Sequence, residues 1–83
     1  MNYELTQHAQ DALTERAIPV EWMERVMVSP TKTEPDKAHP GTVHHLGEIP
    51  EHGNRVLRVV INQQTSPVRI VTVYFDRKMK GKL

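Results

Sequence analysis

Histidine, arginine and tyrosine are the residues of this sequence that suit acid–base work on a phosphodiester. Cleavage of a phosphodiester without a metal needs a base for the proton of the attacking hydroxyl and an acid for the leaving oxygen. It also needs a cation for the charge that grows on the phosphoryl oxygens. Histidine fits the first two roles because its ordinary pKa lies near neutrality, and arginine fits the third because its planar fork matches phosphate oxygens. His8, His44 and His45 are the candidates for acid and base, and Tyr74 for a further catalytic hydrogen-bonding group; Arg16, Arg58 and Arg77 are the candidates for phosphate. His44 and His45 are adjacent, so on a strand only one of them shares a face with Arg58. Alternation favours His44.

Each residue also has a purely architectural reading. His8 can be a polar residue flanking an apolar helix stripe, Arg16 a cap on helix carbonyls, and Tyr74 a half-buried sheet residue. Arg58 is the hardest to set aside, because it interrupts the otherwise apolar run RVLRVVIN. A half-buried charge needs a partner or a purpose, and Asp76 or Glu48 would be the structural partner. No metal or cofactor is expected. The chain has no cysteine, no HExxH, no Gly-rich phosphate loop and no GxSxG, and adjacent histidines on a regular strand cannot both reach one ion.

The elements that must position these residues are legible from periodicity. Residues 55–62 and 68–76 are dense in β-branched and aromatic residues and are separated by the polar break QQTSP, the composition of paired strands. Leu57, Val59 and Ile61 share one face of the first; Val71, Val73 and Phe75 share the apolar face of the second. Arg58, Thr72, Tyr74 and Asp76 fall on the opposite, mixed face, which is open enough to hold a ligand. Upstream, Leu5, Ala9, Ala12, Leu13 and Arg16 recur at helical spacing, predicting a helix over 5–17 with Thr6 as a candidate cap. His8 and Arg16 lie on one line of that helix, about 12 Å apart. A second helix is predicted over 19–29, opened by Pro19 and closed by Pro30. TVHHLGEI, residues 42–49, reads as a strand, and residues 32–35 as a short edge strand. The expected fold is α+β: an N-terminal αα-hairpin on a three- or four-stranded antiparallel sheet, since short loops favour antiparallel neighbours. Leu5, Leu13, Val26, Leu57, Val59, Val71, Val73 and Phe75 are the expected core.

With 83 residues the chain is expected to be one domain, 1–83, with a flexible tail over 78–83. No apolar run approaches the roughly 20 residues that cross a bilayer, and residues 1–10 show no signal segment. A soluble cytoplasmic protein without membrane contact is expected. The net charge of +1 hides a segregation. Arg55, Arg58, Arg69, Arg77, Lys78, Lys80 and Lys82 stand against Asp76 alone, a local +6, while residues 1–30 carry −3 and 31–54 carry −2. A basic sheet and tail suit a polyanion such as RNA; the plainer reading is a charged edge that resists aggregation.

Taken together, LTQHAQDALTERAIP with His8 and Arg16, the EWMERVMVSP helix, the VHH strand, RVLRVVIN and VRIVTVYFDR resemble a family of small bacterial domains of unknown function. That family has an R-(G/A)-I step before its second helix, here Arg16-Ala17-Ile18. In fold the family is similar to RelE-type toxins and the wider barnase, EndoU, colicin and RelE group of metal-independent ribonucleases. The resemblance implies an RNA-cleaving fold whose sheet face binds the phosphate backbone and, for a RelE-type toxin, an antitoxin partner. The leading expectation is a small endoribonuclease. Its rivals are a non-catalytic RNA- or protein-binding module on the same fold, and a chain that only assembles through a strand edge.

Overall fold

In the computed structural model, which describes residues 2–83, the chain runs β1 (Tyr3–Leu5), α1 (Gln7–Glu15), α2 (Val20–Val28), β2 (Lys32–Pro35), β3 (Thr42–Ile49), β4 (Arg55–Asn62) and β5 (Val68–Phe75). Single 3-10 turns at Pro50–His52 and Arg77–Met79 follow β3 and β5. Thr6 starts α1: its hydroxyl accepts the Ala9 N–H at 3.1 Å, satisfying a donor the helix itself cannot. Ala9, Ala12 and Leu13 form the buried stripe of α1; Met23, Val26 and Met27 form that of α2. The helices meet through Ala17, which takes a left-handed conformation (φ 52°) that glycine adopts more readily. This gives the R-A-I step its physical reason. α1 lies over β5 and α2 over β3 and β4, so both helices cover one face of the sheet. The approach is closest at Gly47, where a Cβ would stand 3.0 Å from a Val26 methyl.

The strands form one sheet in the order β1-β5-β4-β3-β2. β2 to β5 are antiparallel neighbours, and β1 pairs with β5 in parallel. The sheet is therefore five-stranded and mixed, not the three- or four-stranded antiparallel sheet expected. The expectation failed at Tyr3–Leu5. Periodicity makes Leu5 the first apolar residue of the helix, yet it belongs to a strand that ends at the Thr6 cap. The short-loop rule governs sequence neighbours only, and β1 and β5 lie at opposite ends of the chain.

A second correction concerns Val71. In the β4–β5 pairing Val60 faces Thr72 and Ile61 faces Ile70, leaving Val71 without a partner. This bulge reverses the alternation of β5. Val73 packs in the core under the helices with Leu57, Val59 and Ile61, but Ile70, fully buried, takes the core position expected for Val71. Val71 is half-buried on the other face. Leu13, Val26, Leu57, Val59 and Val73 are buried as expected; Leu5 and Phe75 are half-buried against the same core. The uncovered face carries His44, Leu46, Arg58, Val60 and Tyr74, aligned by the β3–β4–β5 register.

Candidate functional site

Arg58 stands at the centre of the uncovered face with only 9% of its surface exposed. Its Nε and Nη2 donate to Oδ2 of Asp76 at 3.0 and 2.7 Å. Its Nη1 donates to Oε1 of Glu34 at 3.1 Å and to Nδ1 of His44 at 2.7 Å. Arginine only donates, so His44 Nδ1 accepts, and the imidazole proton sits on Nε2, 2.8 Å from Oδ2 of Asp36. Both ring nitrogens of His44 are thus engaged. Asp36 also accepts the Ala38 and His39 backbone N–H groups at 2.9 and 3.0 Å. The electrostatics follow from this closure. Burial alone would lower the Arg58 pKa, but the bonds to Asp76 and Glu34 outweigh it and hold the guanidinium above its usual value. Burial alone would raise Asp76, and the Arg58 bond reverses that, leaving it below the usual carboxylate range. Glu34 is lowered by its bonds to Arg58 and Lys32, and Asp36 well lowered, chiefly by His44 and the Ala38 N–H. Arg58 has the structural partner the sequence suggested in Asp76, with Glu34 added and Glu48 uninvolved.

A different arrangement occupies the end of β5. There a cleft of about 520 Å³ is lined by Arg16, Arg55, Tyr74, Arg77 and Lys80, with Phe75 and Asp76 completing its wall. Each cation is placed by a local feature. β1 stops opposite Ile70, so the Val71 and Val73 carbonyls on that edge of β5 have no strand partner. The Thr6 hydroxyl donates to the first at 3.0 Å and Arg16 Nη1 to the second at 3.3 Å, which pins the end of α1 beside the end of β5. Arg55 Nη1 donates to His52 Nε2 at 3.2 Å. The His52 ring is itself held between Trp22 and Phe75, with centroids 5.5 and 4.9 Å away. Arg77 and Lys80 sit on and just after the turn that Asp76 caps, its Oδ1 accepting the Lys78 N–H at 3.0 Å.

Among the described residues, no carboxylate lies within ion-pair distance of Arg16, Arg55, Arg77 or Lys80. The one carboxylate in the wall, Asp76, has Oδ2 engaged by Arg58 and Oδ1 by its own turn. Four cations therefore surround a cleft whose only acid is neutralised from behind. Like charges gathered in this way, with a phenol among them, have the chemistry to hold an anion.

The structure brings Arg16, Tyr74 and Arg77 together at this cleft. It brings Arg58 and His44 together in the closed network instead. His8 joins neither: it is exposed on α1, on the helix side of the sheet, and makes no side-chain hydrogen bond among the described residues. His45 lies on the helix side of β3, opposite Val59, with a buried Nδ1 that has no protein partner. Arg55 and Lys80 were not singled out from the sequence, although the +6 charge of residues 55–83 contains both. No group of three or more metal-ligating side chains occurs among the described residues, and no helix among them is long and apolar enough to cross a membrane.

Comparison with known proteins gives a family without an assigned activity: residues 5–75 match the model of DUF4258, a domain of unknown function. No curated protein and no solved structure matches the chain.

Proposed function

The chain belongs to the DUF4258 family, and from the geometry of its cleft we propose that it binds the phosphate backbone of RNA through Arg16, Arg55, Arg77 and Lys80, with Tyr74 as a neutral hydrogen-bond donor. The observation that carries this reading is the absence of any free carboxylate among those four cations. Arginine forks and a lysine point charge are the groups that hold phosphate oxygens, and the acidic remainder of the chain directs a polyanion to this end of the molecule. Binding to a fluorescently labelled single-stranded RNA oligomer should weaken steeply as salt rises, through counterion release. The triple variant Arg16→Ala/Arg55→Ala/Arg77→Ala should bind far more weakly and flatten the salt slope by about 2, while remaining folded with a melting temperature lowered by the loss of the Arg16–Val73 and Arg55–His52 bonds. Salt-independent binding, or a triple variant that binds like the parent, would defeat the reading.

One observation favours a second reading, the endoribonuclease of RelE type. Tyr74 presents a hydroxyl without a hydrogen-bond partner among the described residues, beside the cations that would stabilise a pentavalent phosphate. His8 and His44 do not share that cleft, so an acid–base pair of histidines has no support in the geometry. A toxin of this class would require an antitoxin protein to hold it in check. Cleavage of RNA by the purified protein in EDTA, and its loss in Tyr74→Phe, would establish this reading; intact RNA leaves the binding module.

A further inference from the structure

The bulge in β5 builds something the cationic cleft does not use. It turns Val71 out of the core and sets it beside Thr72 on the uncovered face, and bulges commonly re-aim side chains in this way. There the two residues join Val60 and Tyr74 in lining a hollow of about 460 Å³, within the size range of small-ligand pockets, about 300–1,000 Å³. The rim is polar. Asn62 Oδ1 accepts the Gln64 N–H at 2.9 Å, which leaves its amide NH₂ unengaged among the described residues, and the Thr42 hydroxyl is likewise unengaged. His44 lines the same hollow with both ring nitrogens already bonded, so it offers only a flat ring surface; Asp36 and His39 complete the wall, with the Asp36 carboxylate held by His44, by His39 and by the Ala38 N–H.

Tyr74 lines both this hollow and the cationic cleft. Thr72 and Tyr74 are two residues apart on one strand, about 7 Å. The two cavities are therefore adjacent and chemically unlike. One gathers positive charge; the other has an apolar floor, flat rings in its wall and a free amide at its rim. A nucleotide has the same two parts at a similar separation. We propose that the hollow takes the base of the nucleotide whose phosphate lies in the cleft, so that the ligand is single-stranded RNA with its bases unpaired. This rests on the phosphate-binding reading above. A duplex keeps its bases stacked and paired, and cannot fill the hollow without opening; single strands are bound by this pairing of basic groove and flat side chains.

The test compares three labelled ligands of equal length at low salt: a single-stranded RNA, the same strand with abasic sites, and a duplex. The intact strand should bind about tenfold tighter than the abasic one. Thr72→Trp, which fills the hollow from an exposed sheet face, should bring the intact strand down to abasic affinity and leave the abasic strand unaffected. Equal binding of intact and abasic strands, or of duplex and single strand, overturns the base site while the phosphate reading stands. If no strand binds at low salt, the phosphate reading fails and the base site with it. The ligand comparison uses the unmodified protein, so it decides the matter even if Thr72→Trp fails to fold.

Discussion

Arginine stands in two settings around the β4–β5 hairpin, and their surroundings make them opposites. Arg58 is nearly buried, and its guanidinium donates to Asp76, Glu34 and His44. Arg16, Arg55 and Arg77 are exposed and lack any carboxylate partner among the described residues. The paired arginine closes the uncovered face of the sheet: it ties β2, β3 and β4 to the residue after β5. The unpaired ones leave a positive potential that an incoming anion can satisfy. Pairing, more than residue type, separates a cation that is neutralised within the fold from one left free for an incoming group. Asp76 makes the separation possible, because by neutralising Arg58 it is withdrawn from the cleft it borders.

The comparison breaks most visibly if Arg58 is removed. Arg58→Ala leaves Asp76, Glu34 and His44 facing one another without their common donor. Breaking a buried pair on one side costs about 3–5 kcal/mol. The cost here belongs at the lower end, about 3 kcal/mol, because the two carboxylates keep some contact with water. In a domain of this size that lowers the melting temperature by more than about 10 °C. RNA affinity per folded molecule should fall by no more than about threefold, less than 1 kcal/mol, the effect of an Asp76 carboxylate left unneutralised in the cleft wall. A variant that keeps its melting temperature and loses RNA affinity would exchange the roles of the two arginine groups.

The sequence marked this contrast only in part, for reasons that lie in particular residues. Alternation put His44, Arg58 and Tyr74 on one face because the pairing of β3, β4 and the second half of β5 is regular. Arg58 stood out as a charge inside an apolar run, with Asp76 already in view as a partner. Val71 was misplaced because a bulge is a property of two strands together and leaves no periodic trace in one of them. β1 was hidden by the same locality: three residues carry no period, and their partner lies more than sixty residues away. Arg55, at the start of β4, and Lys80, in the stretch read as a flexible tail, escape a reading of the sequence because a residue at the end of an element acquires a role only from what the fold sets opposite it. His8 drew attention through its spacing to Arg16, yet only the last residue of that line reaches the cleft.

Acid sharpens the comparison by a smaller amount. Asp76 and Glu34 have folded pKa values below their ordinary 3.8 and 4.5, and Asp36 is lowered as well. A carboxylate whose folded pKa is depressed contributes stability that is present above its unfolded value and lost as pH falls through the folded one. Through these carboxylates the melting temperature should therefore decline as pH falls below about 4, by roughly 5 °C at pH 3. In Arg58→Met the main cause lowering Asp76 and Glu34 is gone, leaving Lys32 on Glu34 and the turn N–H groups on Asp76, so its decline should be shallower than the parent's. An equally steep decline would place the acid sensitivity elsewhere, for example at Glu51, held at about 2 by Arg25.

The smallest change tests the residue that stands between the two regions. Tyr74 is the cross-strand partner of Arg58, yet it lines the cleft of unpaired cations. Tyr74→Phe keeps the ring and removes only the hydroxyl. That hydroxyl has no partner among the described residues, so the melting temperature should not move by more than about 2 °C. If the phenol donates to a phosphate oxygen, its removal takes away one hydrogen bond, net about 0.5–1.5 kcal/mol, and RNA affinity falls about 2- to 10-fold. The ring remains to border the neighbouring hollow, so the preference for an intact over an abasic strand should survive in Tyr74→Phe. A loss of stability would assign Tyr74 to the Arg58 network; an unchanged affinity would leave the cleft with its cations alone.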